Sequence, residues 1–169
     1  GPHLRGINYP ERRGPFLWSE YHAKPLFQKK TDLCMEGTLK LPAGTVSRQI
    51  IMVPEKNAWL VEDFFEPIAD GVVAPLETCW QFAPECKIEK LSERSFKLIR
   101  TEGAVLLITV GESWKEINLF TPKKYEHFHS APEDLNGLCS PSFRTLQRGP
   151  RLVLSGPLNT KLSIHIQGE

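Results

Sequence analysis

The stretch TVSRQIIMVPEKNAWLVEDFFEPIADGVVAPLETCWQF, from Thr45 to Phe82, constrains the fold more than any other because its side chains alternate with a period of two. From Thr45 to Val53, residues Val46, Arg48, Ile50 and Met52 fall on one face and Ser47, Gln49, Ile51 and Val53 on the other. That is the period of a strand and not of a helix. Pro54-Glu55-Lys56-Asn57 then interrupts the run. Proline has no N–H to give a ladder and asparagine tolerates turn geometry, so the chain is expected to reverse and return as Ala58 to Phe65. The return strand carries Trp59, Val61, Asp63 and Phe65 on one face and Ala58, Leu60, Glu62 and Phe64 on the other, a two-sided apolar pattern that predicts an inner strand. Past Asp70-Gly71, residues Leu76, Thr78, Trp80 and Phe82 share a face. The three segments are expected to run antiparallel, one after another, around a tryptophan-rich seam.

The remaining chain repeats the pattern. Strands are expected at Leu33 to Leu41, Cys86 to Leu91 (with one wet face, hence an edge), Ser95 to Arg100, Glu116 to Phe120, Leu138 to Leu146, Arg151 to Ser155 and Leu162 to Ile166. Ala104 to Val110 is apolar on both faces and reads as a central strand covered from both sides. Turn signals recur roughly every eight to twelve residues without helical periodicity, which predicts an all-β fold, an antiparallel two-layer β-sandwich of about ten strands. With Pro2, Pro10, Pro15 and Pro25, residues 1–30 are expected to form an extended arm anchored by Phe16-Leu17-Trp18, with the sandwich spanning 31–169. Gly1-Pro2 has the form of a scar left by an affinity-tag protease, so the natural chain is expected to continue upstream.

Particular residues in this order resemble a known family. An arginine in the first strand of the hairpin, the return Trp59-Leu60-Val61-Glu62-Asp63, then Trp80-Gln81-Phe82-Ala83-Pro84, is similar to the C-terminal β-sandwich of heparinase II/III-like polysaccharide lyases. Gly137-Leu138-Cys139-Ser140-Pro141-Ser142-Phe143 resembles the closing glycine, aromatic, Ser-Pro, aromatic pattern of that domain, with cysteine in place of an aromatic. The resemblance runs from Phe16 to Ile166 and implies a parent enzyme that cleaves acidic polysaccharide by β-elimination. Such chemistry requires a neutralised uronate carboxylate, a base such as Tyr or His for the C5 proton, and a proton for the leaving oxygen. In the family these groups come from an upstream helical toroid and the first part of the sandwich, and their histidine and asparagine motifs match no residues here. No catalytic residue is therefore assigned. The family's metal-binding histidines also lie upstream. The resemblance implies a non-catalytic unit that packs on the toroid and forms a wall of the groove for an acidic polysaccharide.

The residues taken alone leave other classes open. A formal charge of +1 over 169 residues offers no field for nucleic acid, and no apolar run approaches the ~20 residues that span a bilayer. A soluble chain is expected, with no nucleic-acid partner and no membrane insertion; its compartment stays open, a bacterial periplasm or cell envelope being one candidate. Cys34, Cys79, Cys86 and Cys139 lack metal spacing. If Ala83-Pro84-Glu85 were a hairpin loop, Cys79 would lie opposite Glu89 and out of bonding reach of Cys86, so four free thiols are expected.

Trp114 and Tyr125, with Lys123 and Lys124, form the candidate sugar contact of a second class, a free-standing carbohydrate-binding module for acidic glycans; against it, Trp114 follows a turn and can equally cap the core. A ligand-free interaction scaffold is the third class. No cofactor is expected. His127 and His129, two apart in an extended segment, are the one weak zinc pair, weighed against a plain solvated loop. His22 and His165 stand alone. Arg48 and Asp63 sit on otherwise apolar faces, and a loop at Pro54 to Asn57 places them opposite each other, which predicts a structural ion pair.

Overall fold

The computed structural model describes residues 2–6, 25–68, 71, 74–101, 103–121, 138–142 and 145–169, with the backbone alone for 138–142 and 145–147. Its strands are β1 (His3–Leu4), β2 (Pro25–Thr31), β3 (Cys34–Leu41), β4 (Gly44–Val53), β5 (Ala58–Pro67), β6 (Leu76–Gln81) and β7 (Lys87–Lys90). They continue as β8 (Ser95–Ile99), β9 (Val105–Val110), β10 (Glu116–Phe120), β11 (Leu138–Ser142), β12 (Thr145–Arg148), β13 (Arg151–Gly156) and β14 (Leu162–Gly168). One sheet has eight strands in the order β2-β3-β4-β5-β14-β9-β8-β7, and a second has four in the order β1-β6-β13-β10. All their pairings are antiparallel, and the two pack face to face as a sandwich; β11 and β12 pair separately as a hairpin. The expected fold class holds, with more strands than the ten or so expected. Among the described residues no helix is long and apolar enough to cross a membrane.

The β4–β5 hairpin forms as its residues dictate. Pro54–Lys56 makes one turn of 3-10 helix and Asn57 takes the left-handed conformation at φ 46°, its N–H donating to Pro54 O at 3.0 Å. Asparagine is among the few residues that occupy this region cheaply. The turn pairs Val53 with Ala58, and counting back from there sets Arg48 opposite Asp63. The core between the layers holds Val46, Val61, Phe65, Ile108, Val110 and Ile164 from the large sheet and Leu76, Leu152 and Leu154 from the small one.

Several expectations are corrected. β6 does not continue the β4–β5 sheet; it crosses to the opposite layer and pairs with β13, Cys79 facing Val153. Trp80 thus belongs to the opposite layer from Trp59 and meets Arg48 from there. Because β7 lies at the far edge of the large sheet, Cys79 and Cys86 are not opposed in a hairpin at all; Cys34, Cys79 and Cys86 are free. The segment from Leu138 is two strands, not one. β9 is buried on one face only: Ile108 and Val110 are buried, whereas Val105 and Leu107 on the other face are half-buried and Thr109 is exposed. The boundary at residue 30 falls inside β2, which pairs with β3 as an edge of the large sheet. Phe16-Leu17-Trp18 lies outside the described residues.

The two layers are unequal, and the excess of the large one has a place. Along one row of its inner face Met35, Ile50, Val61 and Ile164 stand side by side on β3, β4, β5 and β14. Val61 and Ile164 are 3% and 1% exposed, but Ile50 and Met35 are 44% and 61% exposed. Phe27 on β2 and Met52 on β4, on the same face, are exposed as well. Among the described residues the small sheet thus covers the middle of the large one and the Val46 and Leu41 end of β3 and β4, and leaves Phe27, Met35, Ile50 and Met52 exposed on the same face.

Candidate functional site

The most developed side-chain cluster sits beside those exposed residues, and it joins both layers. Arg48 on β4 donates from Nε to Asp63 Oδ1 at 2.6 Å and from an Nη to Asp63 Oδ2 at 2.7 Å. The same Nη donates to Thr78 Oγ1 on β6 at 2.7 Å. Two residues on, the Trp80 ring lies under the guanidinium, 5.0 Å from its carbon to the ring centroid. Asp63 and Thr78 are wholly buried, whereas the Arg48 side chain keeps about a quarter of its surface. A bidentate fork suits the carboxylate geometry, and the aromatic face adds cation–π attraction. Each Asp63 oxygen is thus engaged by the same cation. The carboxylate is held as the counter-ion of Arg48 and has no geometry for taking a proton from a substrate.

Beside this cluster a shallow apolar groove of about 270 Å³ runs between the edges of the two layers, bordered by Pro2, Pro25, Phe27, Leu39, Val46 and Arg48. Gly37 forms part of its floor because the Phe27 ring lies over it: a Cβ there would stand 3.2 Å from the ring. An aromatic side chain covering a strand glycine in this way supplies the packing the glycine lacks.

Trp114 takes the core-capping place weighed against the sugar contact. Its side chain is completely buried, and its Nε1–H donates to Ser163 O at 3.0 Å, so neither ring face is open to a sugar. Arg94 fastens the same turn by donating to Gly111 O at 2.7 Å and to Trp114 O. Of the two sequence readings of Trp114, sugar contact and cap on the core, its burial fits the cap. Tyr125, Lys123, Lys124, His127, His129 and His22 lie outside the described residues. His165 is exposed on β14. Among the described residues no three His, Cys, Asp or Glu side chains gather where they could hold a metal ion.

Two clusters escaped sequence reasoning. Arg5, just past β1, donates to Glu77 Oε2 at 2.9 Å and to Glu116 Oε2 at 2.7 Å, and His3 Nε2 stands 3.2 Å from Glu77 Oε1. Glu116 and then Glu77 hold the Arg5 guanidinium more firmly protonated, and Arg5 in turn holds the Glu116 carboxyl below the usual range. On the large sheet Lys30, and after it the Gln49 amide, lowers Glu36 in the same way. No sequence spacing announces the Arg5 cluster, because its partners come from strands far apart in the chain; Lys30, Glu36 and Gln49 lie on three consecutive strands, and only the pairing of those strands brings them together. The Thr78 contact did leave a signal, a lone hydroxyl on the otherwise apolar Leu76, Thr78, Trp80, Phe82 face.

Comparison with protein families, with curated proteins and with solved structures finds no match.

Proposed function

We propose that this chain is the C-terminal β-sandwich of a heparinase II/III-like polysaccharide lyase, a non-catalytic unit that packs beside an upstream helical toroid and walls part of the groove for a uronic-acid polysaccharide. One observation carries the reading. Arg48, Asp63 and Trp80 come from three separate stretches on which the resemblance rests, and they meet in one cross-layer cluster. Residues that are scattered in sequence but form one physical unit make a chance string of similar residues a poor explanation. The exposed apolar patch of Phe27, Met35, Ile50 and Met52 fits the same reading, since contiguous exposed apolar surface marks interaction sites.

The carbohydrate-binding module loses its principal aromatic with Trp114 in the core. The test offers this chain heparan sulfate, alginate and related uronates and follows the ultraviolet absorbance of the unsaturated product. The chain alone is expected to give a flat trace, and the product of the complete natural gene a rising one. Turnover by the chain alone refutes the non-catalytic assignment; a flat trace from the complete product on every uronate refutes the lyase.

A further inference from the structure

A cavity inside the sandwich belongs to neither cluster described above. It is a slot of about 250 Å³ between the layers, lined chiefly by Trp80, Phe82 and Leu152 from the side of the small sheet and by Leu106, Ile108 and Ile166 from the large one. Ile108 and Leu152 are buried, while Trp80, Phe82, Leu106 and Ile166 are half-buried, so the slot borders solvent. Two of its lining residues carry polar side-chain atoms, and neither presents them to the slot. The Trp80 Nε1–H is sealed within the packing. Gln81 alternates with Trp80 and Phe82, is exposed, and donates its amide to Phe82 O and Pro150 O, so its side chain belongs to the other face of the strand.

Protein interiors are close-packed and voids larger than a water molecule are few, so a space of this size asks for an explanation. Water is a poor occupant, because an internal water needs two to four polar partners and this lining offers none. The Trp80 wall is held in place as well, since Arg48 covers its ring and is itself tied to Asp63 and Thr78. The exposed patch of Phe27, Met35, Ile50 and Met52 is apolar too, but it is open, whereas small-molecule sites enclose most of their ligand's surface. We infer that the slot binds one small hydrocarbon ring compound, free of polar groups and about the size of toluene. The volume and the lining set the class: a dry apolar cavity of about 150 Å³ accepts benzene, so this slot accommodates a single ring with short alkyl substituents.

The probes are toluene and phenol, which have nearly the same shape and differ in a methyl against a hydroxyl. Protein labelled with carbon-13 at the isoleucine δ methyls is titrated with each, the resonances being assigned from Ile108→Val, Ile166→Val and Ile50→Val. Toluene is expected to move the Ile108 and Ile166 resonances saturably and to leave that of Ile50, on the exposed patch, in place. Phenol is expected to bind at least about fivefold more weakly, the least that burying an unmet hydroxyl costs. Leu106→Phe, which fills the slot, is expected to abolish the Ile108 and Ile166 shifts; their persistence in that variant, or a toluene shift confined to Ile50, overturns the location. No saturable shift up to the solubility limit of toluene overturns the site, as happens if another part of the chain fills the slot in solution. Equal affinity for phenol overturns the hydrocarbon class, and neither of these last outcomes depends on Leu106→Phe folding.

Discussion

A cation on the inner face of a β-sandwich has to bring its compensation with it, and Arg48 draws on both layers for that: a carboxylate beside it, a hydroxyl and an indole across from it. Removing one member of a buried pair leaves the other uncompensated, which generally costs about 3–5 kcal/mol. Because Arg48 is only partly buried, Arg48→Met is expected to cost less, roughly 2–4 kcal/mol in urea unfolding, with much of it recovered in Arg48→Met/Asp63→Leu. A loss of only a few tenths of a kcal/mol in the single variant rules out the pairing as a stabilising contact. The pair was legible because a two-residue period and a turn of defined length together set register. Thr78 and Trp80 were not assigned to it, since local periodicity says which face a residue is on but not what faces it from the other sheet. Glu36 supplies a pH test. Its folded carboxyl is more acidic than its unfolded one, so between the lowered value and the ordinary glutamate range the unfolded chain binds more protons. Its contribution is fully present above that range and is lost as pH falls through the lowered folded value. Glu36→Gln is expected to flatten this acid limb in unfolding midpoints measured against pH, leaving the rest of the profile in place.

At the scale of elements, alternation located nearly every strand but not its neighbours. β6 shows why: its face pattern is the same whichever layer it joins, so only the crossing itself assigns it to the small sheet. β11 and β12 were merged because the residues between them carry no proline or glycine to mark a break. The entry to β4 is one of the tightest points in the described fold. Gly44 lies against its partner strand so closely that a Cβ would stand 2.3 Å from Glu66 O and 2.6 Å from the Phe65 ring. Phe65 is fully buried and the carbonyl belongs to a paired strand, so neither yields readily. Gly44→Ala is expected to destabilise by at least the ~1–3 kcal/mol typical of overpacking. A thermal melt within experimental error of the parent protein contradicts the close approach.

For the molecule as a whole, the mismatch of an eight-stranded layer against a four-stranded one decides what is left uncovered. Met35 and Ile50 share a row with fully enclosed residues yet face outward space. Met35→Lys and Ile50→Lys are therefore expected to change stability by less than about 0.5 kcal/mol in urea unfolding. Marked unfolding of either variant means that the row is covered. The large sheet has one more property, which follows from where β14 sits. It lies between β5 and β9, so everything from β2 to β5 and everything from β9 to β7 is joined only through it. Until β14 is made, β5 and β9 each present an open edge to solvent. Joining the halves requires pairing β14 with β5 roughly a hundred positions away, the kind of non-local contact that slows folding, so a chain cut before Leu162 is expected to expose two sheet edges and aggregate, as light scattering would show.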